Sequence, residues 1–171
     1  MNKLKYIHVM SLSIFFASAS IILMARFYES LGYLPCELCY KERIAYYSVF
    51  VLIPLSYVFI FKNKYKISSF IFYIIMLIFI FNIFLSIYHS GVELKYFSGP
   101  SDCSGSLNQS TNFESFYEQL KNVKVVRCDQ PNLWIIGLTL ANWNIILSFI
   151  LSIVALQTAN KLRISHPYSS S

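Results

Sequence analysis

Charge is scarce in this chain. Asp, Glu, Lys and Arg make up 13% of its 171 residues, against about a quarter in an ordinary soluble domain. Acids are the scarcer sign, with eight Asp+Glu against 14 Lys+Arg and a net charge of +6. No Gly-rich dinucleotide loop is present and no Cys-x-x-Cys-His haem attachment. There are no internal repeats and no low-complexity domain. These absences remove haem-attachment and dinucleotide-loop chemistry. They also argue against nucleic acid as a partner, because little hydrophilic chain exists on which to fold a basic surface.

Apolar residues, by contrast, are 56% of the chain and are gathered into runs. A membrane-spanning helix needs roughly 20 mostly apolar residues, and four stretches qualify, at about 7–25, 43–61, 67–88 and 133–156. The first has a basic start (Lys3, Lys5) and an "ASA" at 17–19 that resembles a signal-peptide cleavage site. The apolar run continues straight past it as "IILMA", so a retained span is expected. The expected fold is an all-α integral membrane protein, a four-transmembrane-helix bundle forming a single membrane domain over 1–171. Pro54 is expected to kink the second span. Asn82, Asn142 and Asn144 lie at or near apolar depth and are expected to face other helices and hydrogen-bond there.

Orientation follows from the charges. The N-terminal tail, the "KNKYK" loop and the C-terminal tail hold seven of the 14 Lys+Arg and no acid. The other two loops, about 26–42 and 89–132, hold with their edges the remaining bases and all eight acids. The positive-inside bias places the three basic segments, and so both termini, in the cytoplasm.

The four cysteines, Cys36, Cys39, Cys103 and Cys128, then all lie on the outer face, where disulfides persist. Two inert bridges are one reading. A Cys103–Cys128 bridge would close a loop of useful length. A bridge across the two residues of "PCELC" would restrain almost no unfolded-chain entropy, since that benefit grows with loop length, so this pair suits redox exchange better. A four-thiolate zinc site is disfavoured because 103 to 128 is not a zinc-knuckle spacing, and no metal is expected. Cys39 stands just before the second span, where a helix N-terminus favours thiolate. Arg43 follows four residues later on the same helical face, placed to stabilise a thiolate or a ligand anion. Its bland alternative is an interfacial charge reaching for water. A dithiol at the bilayer edge, with neither haem nor dinucleotide site in sight, points to a diffusing lipid-soluble two-electron acceptor, a quinone.

Three blocks of sequence carry a family likeness: "PCELCYKER" at the second span, "YHSGVE" followed by "GPSDC" at 88–103, and "RCDQP" with "GLTLANWN" around the fourth span. Together, in this order, they make the chain resemble the disulfide bond formation protein B (DsbB) family of bacterial inner-membrane thiol:quinone oxidoreductases over nearly its whole length. The resemblance implies two periplasmic loops and a relay. Cys103 is attacked by a reduced periplasmic DsbA-like thiol oxidase, Cys128 is its pair and passes electrons to Cys36, and Cys39 forms a charge-transfer complex with bound quinone. The cofactor is then ubiquinone or menaquinone, not covalently held, drawn from the membrane pool. Arg43 matches the family arginine at the quinone site. His89 matches a histidine placed close to quinone, with an interfacial cap of the third span as its alternative. Glu42, beside Arg43, and Glu93 are both ambiguous, a surface carboxylate being one reading of Glu42, and Asp129 sits beside Cys128. Phe113, Phe116, Tyr117 and Leu120 recur at i, i+3, i+4, i+7, the pattern of a short amphipathic helix expected in the membrane interface, with packing against the first outer loop as its alternative.

Two other classes compete. A vitamin K epoxide reductase-type enzyme shares a four-helix core, but there the Cys-x-x-Cys lies near the end of the last core span. A non-catalytic membrane scaffold with bracing disulfides would tolerate loss of Cys36.

Overall fold

A computed structural model describes residues 3–99, 128 and 134–164. Cys103, Asp129 and the segment carrying Phe113, Phe116, Tyr117 and Leu120 lie outside the described residues.

Four helices dominate: α1 (Lys3–Ser30), α2 (Glu37–Phe61), α3 (Tyr65–Glu93) and α4 (Leu140–Ile164). They run 25 to 29 residues each. At about 1.5 Å per residue every one exceeds the roughly 30 Å hydrocarbon core, and all four are apolar enough to cross it. α1 runs unbroken through the "ASA" stretch, and α2 continues through Pro54. α3 packs against α2 and most extensively against α4, and α1 closes the bundle against α2 and α4.

Which residues face inward follows from spacing. On α3 the buried stripe is Ser68, Phe72, Ile75, Phe79, Asn82, Ser86 and His89, alternating steps of four and three. Large apolar side chains on the other faces are open: Phe70 is 63% exposed and Phe81 70%. In water such a surface would be a liability; in lipid it is the solvated one. Helix association there draws on close packing and interhelical hydrogen bonds. Small residues on α4 (Ser148, Ser152, Ala155, Ala159) are all buried, and they let α3 approach until Ser69 Oγ donates to the Ala159 carbonyl at 2.8 Å.

The helix ends are defined by local chemistry. α1, α2 and α3 each end in a Schellman arrangement, with Gly32, Asn63 or Lys95 in the left-handed region. The fourth apolar run is not helical throughout. Trp134–Ile135 (β1) and Leu138–Thr139 (β2) form an antiparallel hairpin, turned by Ile136 (φ 52) and Gly137 (φ 77). That pair of positive φ values is what a two-residue type I′ turn requires. The indole N–H of Trp143 donates to the Ile135 carbonyl at 3.0 Å and ties the hairpin to α4. The helix therefore starts at Leu140 and not at 133.

At mid-bundle a polar network joins α2, α3 and α4. Tyr46 donates its hydroxyl to Asn144 Oδ1. Asn144 Nδ2 donates to Ser86 Oγ (2.7 Å), and Asn82 Nδ2 donates to Ser148 Oγ (3.0 Å). Ser90 donates to Asn142 Oδ1 at 2.9 Å. All three asparagines thus face other helices.

Candidate functional site

The site forms where α1 and α3 end and α2 and α4 begin. α2 starts six residues earlier than the apolar run suggests, because Cys36 caps it. Cys36 has extended backbone angles (φ −77, ψ 170), and its sulfur accepts the Cys39 N–H at 3.3 Å. The Cys-x-x-Cys spacing is thus the spacing from N-cap to third helical residue, a reach usually spanned by Ser, Thr or Asp. One sulfur sits on the cap and the other in the first turn, both at the positive end of the helix dipole.

Cys36 and Cys39 are both free thiols, with their sulfurs 2.9 Å apart. α3 extends to Glu93 and so carries His89 inside its last turns. His89 Nε2 faces Cys36 Sγ at 3.5 Å, and Nδ1 meets Glu42 Oε1 at 2.8 Å. His89 is 3% exposed and Glu42 7%, so Glu42 is no surface carboxylate. It lies four residues after Leu38 on the buried stripe of α2, a placement the charged stretch "YKER" hides. The Cys36 thiol is pulled down to about 4. The hydrogen bond from Cys39 is the largest cause, and burial opposes it. The bond and charge of His89 and the Cys39 backbone N–H add to the lowering.

Glu93 closes the far side. Its Oε1 is 3.8 Å from His89 Nε2, and its Oε2 is buried without a hydrogen-bond partner among the described residues. Cys128 is disulfide-bonded and 2% exposed, in one buried cluster with Cys36, Leu38 and Val92.

Arg43 sits elsewhere than its spacing from Cys39 suggests. Its guanidinium pairs with Glu29 of α1 and lies over the Tyr40 ring, 5.4 Å from the centroid. Arg26 reaches the same carboxylate at 3.0 Å. Sequence reasoning missed Glu29; an acid in the last turn of the first span, opposite an arginine in the next, was its only signal.

These groups surround a cavity of about 450 Å³. Its walls are mostly apolar, with Ile21, Met24, Trp143 and Leu147 among them, and Cys36, Cys39, Arg43, His89, Glu93 and Cys128 all reach it. Small-molecule sites have this size and this balance of apolar wall and few polar groups.

A bundle of four membrane-crossing helices whose one buried polar end holds a free dithiol, an imidazole and a third cysteine in a disulfide defines a multi-pass membrane thiol oxidoreductase. The model of the family described as disulfide bond formation protein DsbB matches residues 8–158, and the chain belongs to that family. It is a disulfide-generating oxidoreductase of the membrane. No curated protein and no solved structure matches the chain.

Proposed function

We propose that this protein is a thiol:quinone oxidoreductase that reoxidises a DsbA-like periplasmic thiol oxidase and so sustains disulfide formation in exported proteins. The observation that carries this reading is the opening of the free Cys36–Cys39 dithiol into an apolar cavity of about 450 Å³ inside a membrane bundle. The residues present fit a quinone: a mostly apolar chamber for ring and tail, with polar groups gathered at the sulfur end. A quinone held there would supply the acceptor for the two electrons and two protons of the dithiol.

The chain's own groups do the rest. Cys103 exchanges with the reduced partner, and the Cys103–Cys128 disulfide is opened. Cys128 passes the electrons inward by thiol–disulfide exchange, in which a thiolate attacks a sulfur and a thiolate leaves, and its packing in one cluster with Cys36 supports this. His89 takes the Cys36 proton at Nε2 while Glu42 holds Nδ1 and fixes which nitrogen faces the sulfur. Arg43, anchored by Glu29, lines the chamber and would offer its cation to an oxygen of a bound quinone. Overall, a partner dithiol and a quinone become a partner disulfide and a quinol. The basic tails and the "KNKYK" loop orient the chain with both termini in the cytoplasm of the bacterial inner membrane and both cysteine loops in the periplasm.

The test is quinone reduction by the purified protein, with a reduced DsbA-type oxidase as donor and the quinone absorbance followed in time. Turnover is expected in the wild type with ubiquinone or menaquinone and lost in Cys36→Ser, Cys39→Ser and Cys103→Ser. Arg43→Ala is expected to raise the quinone KM. No wild-type turnover with either quinone refutes the reading.

A further inference from the structure

The groups that serve the dithiol also have the geometry of a metal-binding site. Cys36 Sγ, Cys39 Sγ and a ring nitrogen of His89 lie within 4.8 Å of one another. We propose that the reduced dithiol, with His89 Nε2, forms a binding site for a thiophilic divalent cation of the Zn²⁺ class.

Three observations carry this. The first is distance. Zn²⁺ bonds sulfur at about 2.3 Å and imidazole nitrogen at about 2.0–2.1 Å, and a tetrahedral arrangement then separates the two donors by about 3.6 Å. Cys36 Sγ and His89 Nε2 are already 3.5 Å apart. The two sulfurs, at 2.9 Å, need to part by somewhat under about 1 Å, which a small turn of the Cys39 side chain supplies.

The second is the carboxylate behind the ring. Metal-binding histidines usually donate their other ring N–H to a carboxylate, which fixes the tautomer and aims the free lone pair. Glu42 Oε1 at 2.8 Å from Nδ1 does this, and Nε2 is thereby aimed at the sulfurs.

The third is a carboxyl group with an unsatisfied oxygen. Glu93, with its side chain 8% exposed, lies beside Nε2, and its Oε2 has no hydrogen-bond partner among the described residues. Two sulfurs and two carboxylates therefore surround one imidazole. The arginine that also lines the cavity is already paired with Glu29. A divalent cation would neutralise this end of the chamber, with its fourth position open toward the cavity as in three-ligand zinc sites.

Binding is not a redox step. The dithiol gives up two protons, the imidazole any proton on Nε2, and two metal–sulfur bonds and one metal–nitrogen bond form. A thiolate bound this way is unavailable for exchange, so the cation holds the protein reduced and stops turnover. The Cys36–Cys39 disulfide presents no thiolate and does not bind, so the site exists in one redox state only.

The experiment uses the full-length protein in detergent, reduced, freed of reductant and kept anaerobic. Cd²⁺ is titrated while its ultraviolet sulfur-to-metal charge-transfer band is followed, and Zn²⁺ is then added as competitor. One Cd²⁺ per chain, displaced by Zn²⁺, is expected. The band should be absent in the oxidised wild type and in Cys36→Ser and Cys39→Ser, and present in the Cys103→Ser/Cys128→Ser double variant. Glu42→Gln should weaken binding about 10–100-fold, as loss of such a supporting carboxylate does. A band that survives oxidation or Cys36→Ser, or that needs Cys103 and Cys128 instead, overturns the proposal, as does reduced wild type that shows none. The oxidised arm carries no substitution, so a variant that fails to fold does not rescue the idea.

Discussion

Replacing Glu42 by Gln isolates what the buried carboxylate does for Cys36. Glu42 Oε1 lies 2.8 Å from His89 Nδ1 with both side chains at most 9% exposed. Hydrogen bonds to charged groups are worth about 1.5–3 kcal/mol and neutral ones about 0.5–1.5. Glutamine keeps an oxygen at the same reach but not its charge, so the imidazolium loses about 1–1.5 kcal/mol of support. About 1.36 kcal/mol corresponds to one pH unit. The Cys36 thiolate leans on the bond and charge of His89, and an imidazolium no longer paired with a carboxylate supports it more strongly, so its midpoint should fall below about 4 by up to about one pH unit. The sign is downward, because removing a negative charge near a thiolate favours the thiolate. The assay is alkylation by iodoacetamide of the reduced protein across the acid range, with Cys36 followed by peptide mass spectrometry. The thiolate is the reactive form, so the rate tracks the titration. Between about pH 6 and pH 8 the wild-type rate should be flat, whereas a thiol with an unperturbed value near 8.5 gains almost tenfold per pH unit there. Glu37→Gln is the control. Glu37 lies in the same turn but pairs with Lys41 at 2.6 Å, with its side chain 33% exposed, and should leave the midpoint alone. An unmoved or raised midpoint in Glu42→Gln, or an equal fall in Glu37→Gln, refutes the reasoning.

Other outcomes follow from the same geometry. Cys36→Ser should keep or slightly raise the thermal midpoint, because serine is a better N-cap than cysteine; a large drop would mean the sulfur holds the fold. Asn144→Leu removes the acceptor of Tyr46 and the donor to Ser86. Interhelical bonds in membranes average about 0.6 kcal/mol and reach about 1.7, so about 1–3 kcal/mol should be lost on denaturation in mixed micelles, and a loss below about 0.5 would contradict the network. At Gly91 an added Cβ would collide with the ring of Phe97, which stacks on Tyr88 at 5.9 Å between centroids. Gly91→Ala should cost about 1–3 kcal/mol as overpacking does; an unchanged unfolding midpoint would show that Phe97 simply moves aside.

How much of this could be read beforehand depends on which force set each feature. The four spans were legible because lipid demands long apolar runs, and runs survive in one dimension. Their ends were not, because ends are set by polar chemistry. Cys36 extends α2 backward by capping it, Schellman turns close α1, α2 and α3, and two positive φ values at Ile136 and Gly137 fold the head of the fourth run into a hairpin. The dithiol was legible from its spacing. Its partners were not: Glu42 and Glu29 looked like ordinary acids beside ordinary bases. Only the packing of α2 on α3 brings Glu42 to His89, and only α1 beside α2 brings Glu29 to Arg43.

The distribution of polarity along α3 explains why the chemistry sits at one end of the bundle. Its inward stripe begins apolar, with Phe72, Ile75 and Phe79, and then turns polar with Asn82, Ser86 and His89. The first two polar residues are satisfied by neighbouring helices, and each satisfied group locks α2, α3 and α4 in register. His89, one helical step further on, inherits that fixed register. Its ring is therefore held where α2 delivers a carboxylate to one nitrogen and a cap sulfur to the other. A scaffold braced by inert disulfides would need none of this: two free sulfurs 2.9 Å apart at a helix cap restrain no loop. The same register that stabilises the bundle aims the reactive groups, so a register error caused at Asn82 should reach the thiol. Asn82→Leu should both destabilise the bundle and shift the Cys36 alkylation midpoint, whereas Ser11→Ala, equally buried on α1 but outside the stripe, should leave that midpoint unchanged. Equal midpoints in both variants would sever the link between packing and reactivity.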